Sequence, residues 1–524
     1  MISKFLSYKN IIFILFLFFF SIIINQYYGN RGAFPMDSFF HFDAAYRILN
    51  GEHPFKDFWV VSGPIVDYIQ ATFFYIFGVN WQSHVLHASL FNALLTISTF
   101  LVLKNFKLKG IYCFIYSLFF AVLAYPSSGT PFADHHSAFF SLLGIYSLLM
   151  AIDSQRKLYW LLLPILFGLS FFAKSIPSAF VIISVCFIVV LYSLKKKKFD
   201  PIKYCLIGSS FFILCVFIFG KYHGIKFSSF LDQYIFYSQT IGAERFKNLK
   251  FTFSGVIDHF KFIYLAIIPL FYINIKKIFS DENYIKHNDF YFFLSLFLLT
   301  FSLVLYQLLT KNQTFIFFLI PILTAFSHIN LINTKLKSKN LMFLVFVSIC
   351  LLVTLKYHLR FNEHRKFHEL ESVNFELSID AKKIHKKLSG LNWITPQKFK
   401  NNPEKEIDLI NQIQTFLIKD SRNKMVLTTY PFFSAILNEK LFSPFRVYVG
   451  DGTQQPIKGN KYSTKYRELM INLIKKNKIS VIYIIGSLES NIIYDYIDRY
   501  CFEETSVFEQ LKSYELKNCI EING

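Results

Sequence analysis

The sequence predicts a polytopic α-helical membrane protein carrying a small C-terminal α/β domain. Three observations predict it. Hydrophobic residues make up 53% of the 524-residue chain and charged ones 17%, with 66 phenylalanines, a load that soluble domains rarely carry. Apolar segments of about 20 residues, the length that crosses a bilayer, recur as far as Tyr357. Beyond Tyr357 the pattern changes to short apolar runs alternating with charged, amphipathic stretches.

The first apolar run, Ile11 to Ile24, follows Lys4 and Lys9. It is succeeded by Asn25, Gln26, Tyr27 and Tyr28, with no small-x-small cleavage pattern, so it reads as a retained membrane helix. About eleven spans follow from the same criterion. They run from Tyr8 to Gln26, His84 to Leu103, Gly110 to Tyr125, His135 to Ile152, Leu158 to Ala173, Pro177 to Leu194, Tyr204 to Gly220, His259 to Ile275, Phe290 to Leu309, Phe315 to Ile332 and Leu341 to Tyr357. Ile65 to Phe77 is apolar but short and broken by Asp67 and Gln70, which suits an interfacial helix.

The net charge of +21 sits in short lysine runs between apolar segments. That fits cytoplasmic loops and membrane lipids better than a nucleic-acid partner. With the N-terminus in the cytoplasm, the returning loops carry Lys104, Lys107 and Lys109; Arg156 and Lys157; Lys195 to Lys198; Lys276 and Lys277; and Lys335, Lys337 and Lys339. The positive-inside rule then places Phe34 to Pro64 and the C-terminal region outside, as in a bacterial inner-membrane protein with a periplasmic C-terminal domain.

Residues 358–400 read as a charged, helix-prone stalk, and residues 401–524 as the α/β domain. Pro403 to Lys419 reads as an amphipathic helix. Met425 to Thr429 and Ser480 to Gly486 read as buried strands, with a helix from Tyr466 to Lys476 between them. A helix from Ser490 to Arg499 and a strand near Glu515 to Ile522 complete it. Gly450 to Lys461 reads as a loop without the spacing of a phosphate-binding glycine motif. Cys501 and Cys519 lie in this outer domain, where an oxidising compartment allows them to pair. The other five cysteines lie in or beside apolar runs and read as packing residues.

The chemistry concentrates in Phe34 to Pro64, which holds Asp37, Asp43 and Asp57 with His41 and His53. Between Asp37 and Asn50 apolar residues recur at three and four, as in a short amphipathic helix. There Asp37 and His41 share a face and Asp43 points elsewhere. Asp37 has two readings, a helix N-cap or a carboxylate for general-base work or cation binding. Asp134, His135 and His136 sit at the start of the fourth span. Adjacent histidines do not make a zinc pair, so capping and a second acidic element both fit. Lys174 lies in a tight outer turn, where snorkelling and phosphate binding are the alternatives. The long outer loop Lys221 to Asp258 adds Gln239, Glu244 and Arg245, and a later turn adds Lys311 and Gln313. Arg suits phosphate recognition. Arg446 and Asp451 are weaker candidates in the C-terminal domain.

Asp37, Ala44, Ala45, Gly51, Pro54, Phe55, Asp57 and Phe58 resemble the first extracytoplasmic loop of the GT-C superfamily. These are polyprenyl-phosphate-sugar-dependent membrane glycosyltransferases, and the likeness is to the protein-mannosyltransferase and aminoarabinose-transferase branch. The resemblance covers residues 1–357 and implies a GT-C catalytic domain transferring a hexose or pentose to an extracytoplasmic lipid, glycan or protein. It makes Asp37 the catalytic candidate, with Asp43 and Asp134 assisting. Lys174, Arg245, His41, His136 and Lys311 become candidates for substrate or phosphate binding. Ser38 stands where many members carry a second acid. A divalent cation, if one is used, would fall to Asp37 and Asp134. A transporter or flippase, or a non-catalytic scaffold in envelope glycan assembly, are the rival readings. The outer-end placement of the polar residues argues against a transporter, which needs ionisable groups at mid-membrane.

Overall fold

The computed structural model describes residues 7–125, 129–311, 316–332, 339–364, 369–486 and 490–517. Among them, eight helices are long and apolar enough to cross a membrane, and three shorter apolar helices accompany them. Together they match the eleven expected segments. The shorter ones are Gly110–Leu123, Lys157–Ala173 and Leu319–Ile332.

The chain divides into two compact units, each assembled from separated segments. The first comprises Met1–Gly29, Val85–Phe217 and Arg245–Phe367 and holds the membrane helices. Its core is a continuous set of buried side chains from Leu17 to Phe361, rich in Phe, Tyr and Leu. Asn25 in the first span donates to Gly129 O (2.9 Å) and Ser89 Oγ (3.2 Å). Gly129 has φ +65°, and a Cβ there would lie 2.3 Å from the Gly29 backbone nitrogen. Backbone cannot yield as a side-chain tip can. Gly129→Ala is therefore expected to destabilise the protein by about 1–3 kcal/mol, read as a lower melting temperature in detergent.

The second unit comprises Asn30–His84, Ile218–Glu244 and His368–Gly524. Its sheet has the order β3–β4–β6–β5, with β3 Lys424–Thr428, β4 Val481–Ile485, β5 Phe502–Phe508 and β6 Leu511–Leu516. A two-residue pair, β1 Ile379–Asp380 and β2 Asn392–Trp393, lies apart from it. β3 and β4 are parallel, with Met425 opposite Ile482. The crossover this requires contains the helix Ser463–Lys476, as parallel pairing demands a long connection. β6 pairs antiparallel with both β4 and β5. The helix Pro403–Lys419 lies where its periodicity placed it, capped by Asn402 accepting from Lys405 N.

Four expectations here are corrected. Residues 369–388 form short 3₁₀ turns and the strand β1 instead of a helical stalk. In place of a helix from Ser490 to Arg499 there are 3₁₀ turns at Ser490–Asp495 and Arg499–Cys501. Among the described residues the last strand is Leu511–Leu516, most of the expected strand near Glu515 to Ile522 lying outside them, and β5, charged and exposed in its middle, was not anticipated. The stretch from Lys221 to Asp258 is largely helical, including Ser238–Lys247.

The first loop is part of this second unit. Gly32 N donates to Asn392 O (3.0 Å) and Ala33 N to Ile394 O (2.9 Å). Trp59 N donates to Pro444 O (2.8 Å). Trp59 and Val61 share one buried cluster with Met425, Leu427, Phe445 and Ile482. Gln233 holds the same loop from a third segment, accepting from Val60 N and donating to Phe55 O, both at 3.0 Å.

Candidate active site

Asp37 lies in the first turn of the short helix Pro35–Ser38, which is separated at Phe39 from the helix Phe40–Leu49. The expected single helix is thus two. Neither is capped by Asp37: the cap residues are Phe34 and Phe39, with no side-chain cap bond. Ser38 Oγ instead accepts from Phe34 N at 3.1 Å. Asp37 is partly exposed, while Ser38 and every residue from Phe39 to Arg47 are buried.

The buried face of Phe40–Leu49 carries two charged clasps. His41 Nδ1 is 2.6 Å from Asp67 Oδ1. A carboxylate accepts, so the ring donates from Nδ1. Asp67 Oδ2 accepts from Arg446 Nη1 at 2.8 Å. Arg446 also donates from Nη2 to Ser62 O and stacks 3.9 Å from the Phe40 ring centroid. Asp67 is wholly buried and Arg446 4% exposed. Burial pulls the Arg446 guanidinium below its usual value, and Asp67 works against that pull. The second clasp runs the other way. Arg47 donates to Glu52 Oε2 from Nε (2.9 Å) and Nη2 (2.7 Å), and to the backbone oxygens of Phe445 (2.9 Å) and Ser443 (2.6 Å). The C-terminal segment and the first loop therefore each place a buried arginine into the other.

Asp43 is 5% exposed. Its Oδ2 is 3.5 Å from Ser434 Oγ, and among the described residues its Oδ1 has no hydrogen-bond partner. Burial raises its carboxyl from 3.8 to about 6; Arg47 opposes the rise, Glu52 adds to it and Ser434 opposes it. A carboxyl raised by folding holds its proton more tightly when folded. Its stabilising contribution is present below the unfolded value of 3.8 and is lost as pH climbs through about 6. Asp43→Asn is expected to raise the melting temperature at pH 7.5, with the gain disappearing near about pH 4, as a thermal-shift series across pH would show.

Asp57 closes the turn at Pro54 to Phe58. Its Oδ2 accepts from His53 N at 2.9 Å, and Phe55 takes φ 70°. His53 lies 4.1 Å from the His223 ring. Burial first, then His223, holds its imidazole down at about 4.

In the membrane unit, Asp134 begins the helix Ala133–Ser154. Its Oδ2 accepts from Lys174 Nζ at 2.7 Å and its Oδ1 from the Tyr306 hydroxyl. Lys174 also lies 5.6 Å from the Tyr306 ring centroid. Arg245 is near enough to act electrostatically on that tyrosine. His136 Nε2 is 3.0 Å from His87 Nε2, and its Nδ1 is 3.0 Å from Phe132 O. His135 stacks on Tyr125. Lys311 is exposed in a left-handed turn that ends Asn288–Thr310.

The structure thus gathers Asp134 and Lys174 at Tyr306, and gathers His41 with Asp67 and Arg446. Asp37 and Asp134 belong to different units. Among the described residues no group of three or more His, Cys, Asp or Glu side chains is placed to hold a metal ion. Cys501 is disulfide-bonded; Cys519 and Gln313 lie outside the described residues. Sequence reasoning overlooked Asp67, Tyr306, Arg47 and Gln233. Asp67 and Gln70, polar in an apolar run, were the available signal.

Residues 53–219 match the dolichyl-phosphate-mannose-protein mannosyltransferase family. No curated protein matches the chain in sequence. In structure, the chain is similar to ArnT from Cupriavidus metallidurans, crystallised with undecaprenyl phosphate. The likeness covers 97% of this chain and 98% of that one at 9% identity, with a TM-score of 0.52. The family match covers residues 53–219 alone, and the structural likeness shows a fold shared with ArnT along nearly the whole length of both chains.

Proposed function

We propose that the protein transfers a sugar from a polyprenyl-phosphate donor to an acceptor on the non-cytoplasmic side of the membrane, with Asp37 as general base. The observation that carries this reading is the full-length fold likeness to a glycosyltransferase crystallised with undecaprenyl phosphate. The mannosyltransferase match supports it.

Asp37 suits the role because it is partly exposed just ahead of Ser38 to Arg47, a segment buried throughout. Its carboxylate takes the acceptor hydroxyl proton as that oxygen bonds to the anomeric carbon. The bond from that carbon to the donor phosphate oxygen breaks, and the phosphate leaves with the electron pair. The charge growing on that phosphate is met by cationic side chains. In the membrane unit, Lys174 donates to Asp134, which also accepts from the Tyr306 hydroxyl. His41 acts through Asp67 on the loop's shape.

The test is donor selection. The purified protein in nanodiscs is given radiolabelled polyprenyl-phosphate sugars or nucleotide sugars, with an envelope acceptor fraction. Label is expected to move from the lipid-linked donor alone. Transfer from nucleotide sugars, or from none of the lipid donors, would count against the reading.

A further inference from the structure

We propose that an anionic phospholipid head group occupies a lysine-lined cavity at one end of four membrane helices. The cavity, about 550 Å³, is lined by Lys157, Lys197, Lys198 and Lys203 together with Trp160 and Tyr204. It lies where Ala133–Ser154 and Ser175–Lys196 end and where Lys157–Ala173 and Asp200–Tyr222 begin. Asp134 opens the 22-residue helix whose far end borders the cavity. At 1.5 Å per residue the two places are roughly 30 Å apart.

Charge identifies the ligand class. The lining holds four lysines and one acid, Asp200. Among the described residues, no carboxylate forms an ion pair with any of the four. Lys157 and Lys203 lie instead against the Tyr204 ring, at 5.4 and 6.0 Å. First turns of two helices also line the cavity, and that of Lys157–Ala173 has no side-chain cap. The helix dipole favours an anion there. The concavity has support beneath it: Gln155 donates to the Tyr192 hydroxyl at 2.6 Å, and Trp160 packs on the same ring.

A lipid, in preference to soluble phosphate, follows from the surroundings. Leu158, Phe199 and Leu206 are 60–62% exposed at this end of the membrane helices, so an acyl chain continues along apolar surface. These loops are the ones the positive-inside rule assigns to the cytoplasmic leaflet, where anionic lipid collects.

The full chain is reconstituted in nanodiscs of equal phosphatidylglycerol and phosphatidylcholine, and retained lipid is read by native mass spectrometry. The wild type is expected to retain phosphatidylglycerol preferentially. Lys157, Lys197, Lys198 and Lys203, all changed to Gln, should lower that retention about tenfold or more. Lys104, Lys107, Lys276 and Lys277, all changed to Gln, remove equal charge elsewhere and should leave it intact. If the first variant fails to fold, Lys157→Gln and Lys203→Gln are measured singly, each with an expected severalfold loss. Equal loss in both fourfold variants, no loss in the single ones, or equal retention of both lipids by the wild type overturns the proposal. So does displacement of phosphatidylglycerol by millimolar inorganic phosphate, which would mark a soluble-phosphate site.

Discussion

Asp37→Asn is expected to leave a folded protein whose sugar transfer is slower by about 10²- to 10⁴-fold. Asn keeps the side chain's size and its hydrogen-bonding oxygen but cannot take a proton. The structural cost is small because Asp37 is partly exposed and caps neither adjoining helix. A negative charge in a helix's first turn is worth about 0.3–1 kcal/mol, so the melting temperature should barely move. Initial rates at saturating donor, read beside melting curves, separate the two effects. Unchanged transfer by the variant would move the base to Asp43 or Asp134.

Arg446→Ala is expected to cost about 3–5 kcal/mol, since it leaves the buried Asp67 carboxylate facing only His41. Thermal unfolding checks the stability, and transfer rates check the consequence for the first loop. A paired replacement, Asp67→Leu with Arg446→Met, removes both charges from the interior and should recover much of the stability. Transfer should remain low in the pair if these groups fix the shape of the loop bearing Asp37. Full activity in that double variant would mean that the clasp serves stability alone.

The membrane spans were legible because hydropathy over 20 residues is a local property, and lipid allows few ways to satisfy the backbone. β3, β4 and the helix Pro403–Lys419 were legible for a similar reason: their apolar periodicity lies within each segment. β5 was not, because Phe502–Phe508 is exposed through Glu503, Glu504, Thr505 and Ser506 and its pairing partner is all that makes it a strand. The clasps were illegible in principle. Arg446 and Asp67 are 379 residues apart, and nothing near either residue announces the other. Asp37 could be singled out from its own loop. The role of Arg47 as a ligand for backbone oxygens at 443 and 445 could not.

The reciprocal arginine clasp also orders events during biosynthesis. The loop from Asn30 to His84 leaves the ribosome well before Arg446 and the carbonyls that Arg47 grips, since Asp67 and Arg446 are 379 residues apart. Until then Asp67 and Arg47 remain without those partners, and the helix Phe40–Leu49 lacks the surface that buries it. A chain stopped anywhere before Ser443 would insert its spans yet leave its first loop unfinished. Completion of the loop bearing Asp37 is thereby tied to synthesis of the segment from Ser443 to Arg446.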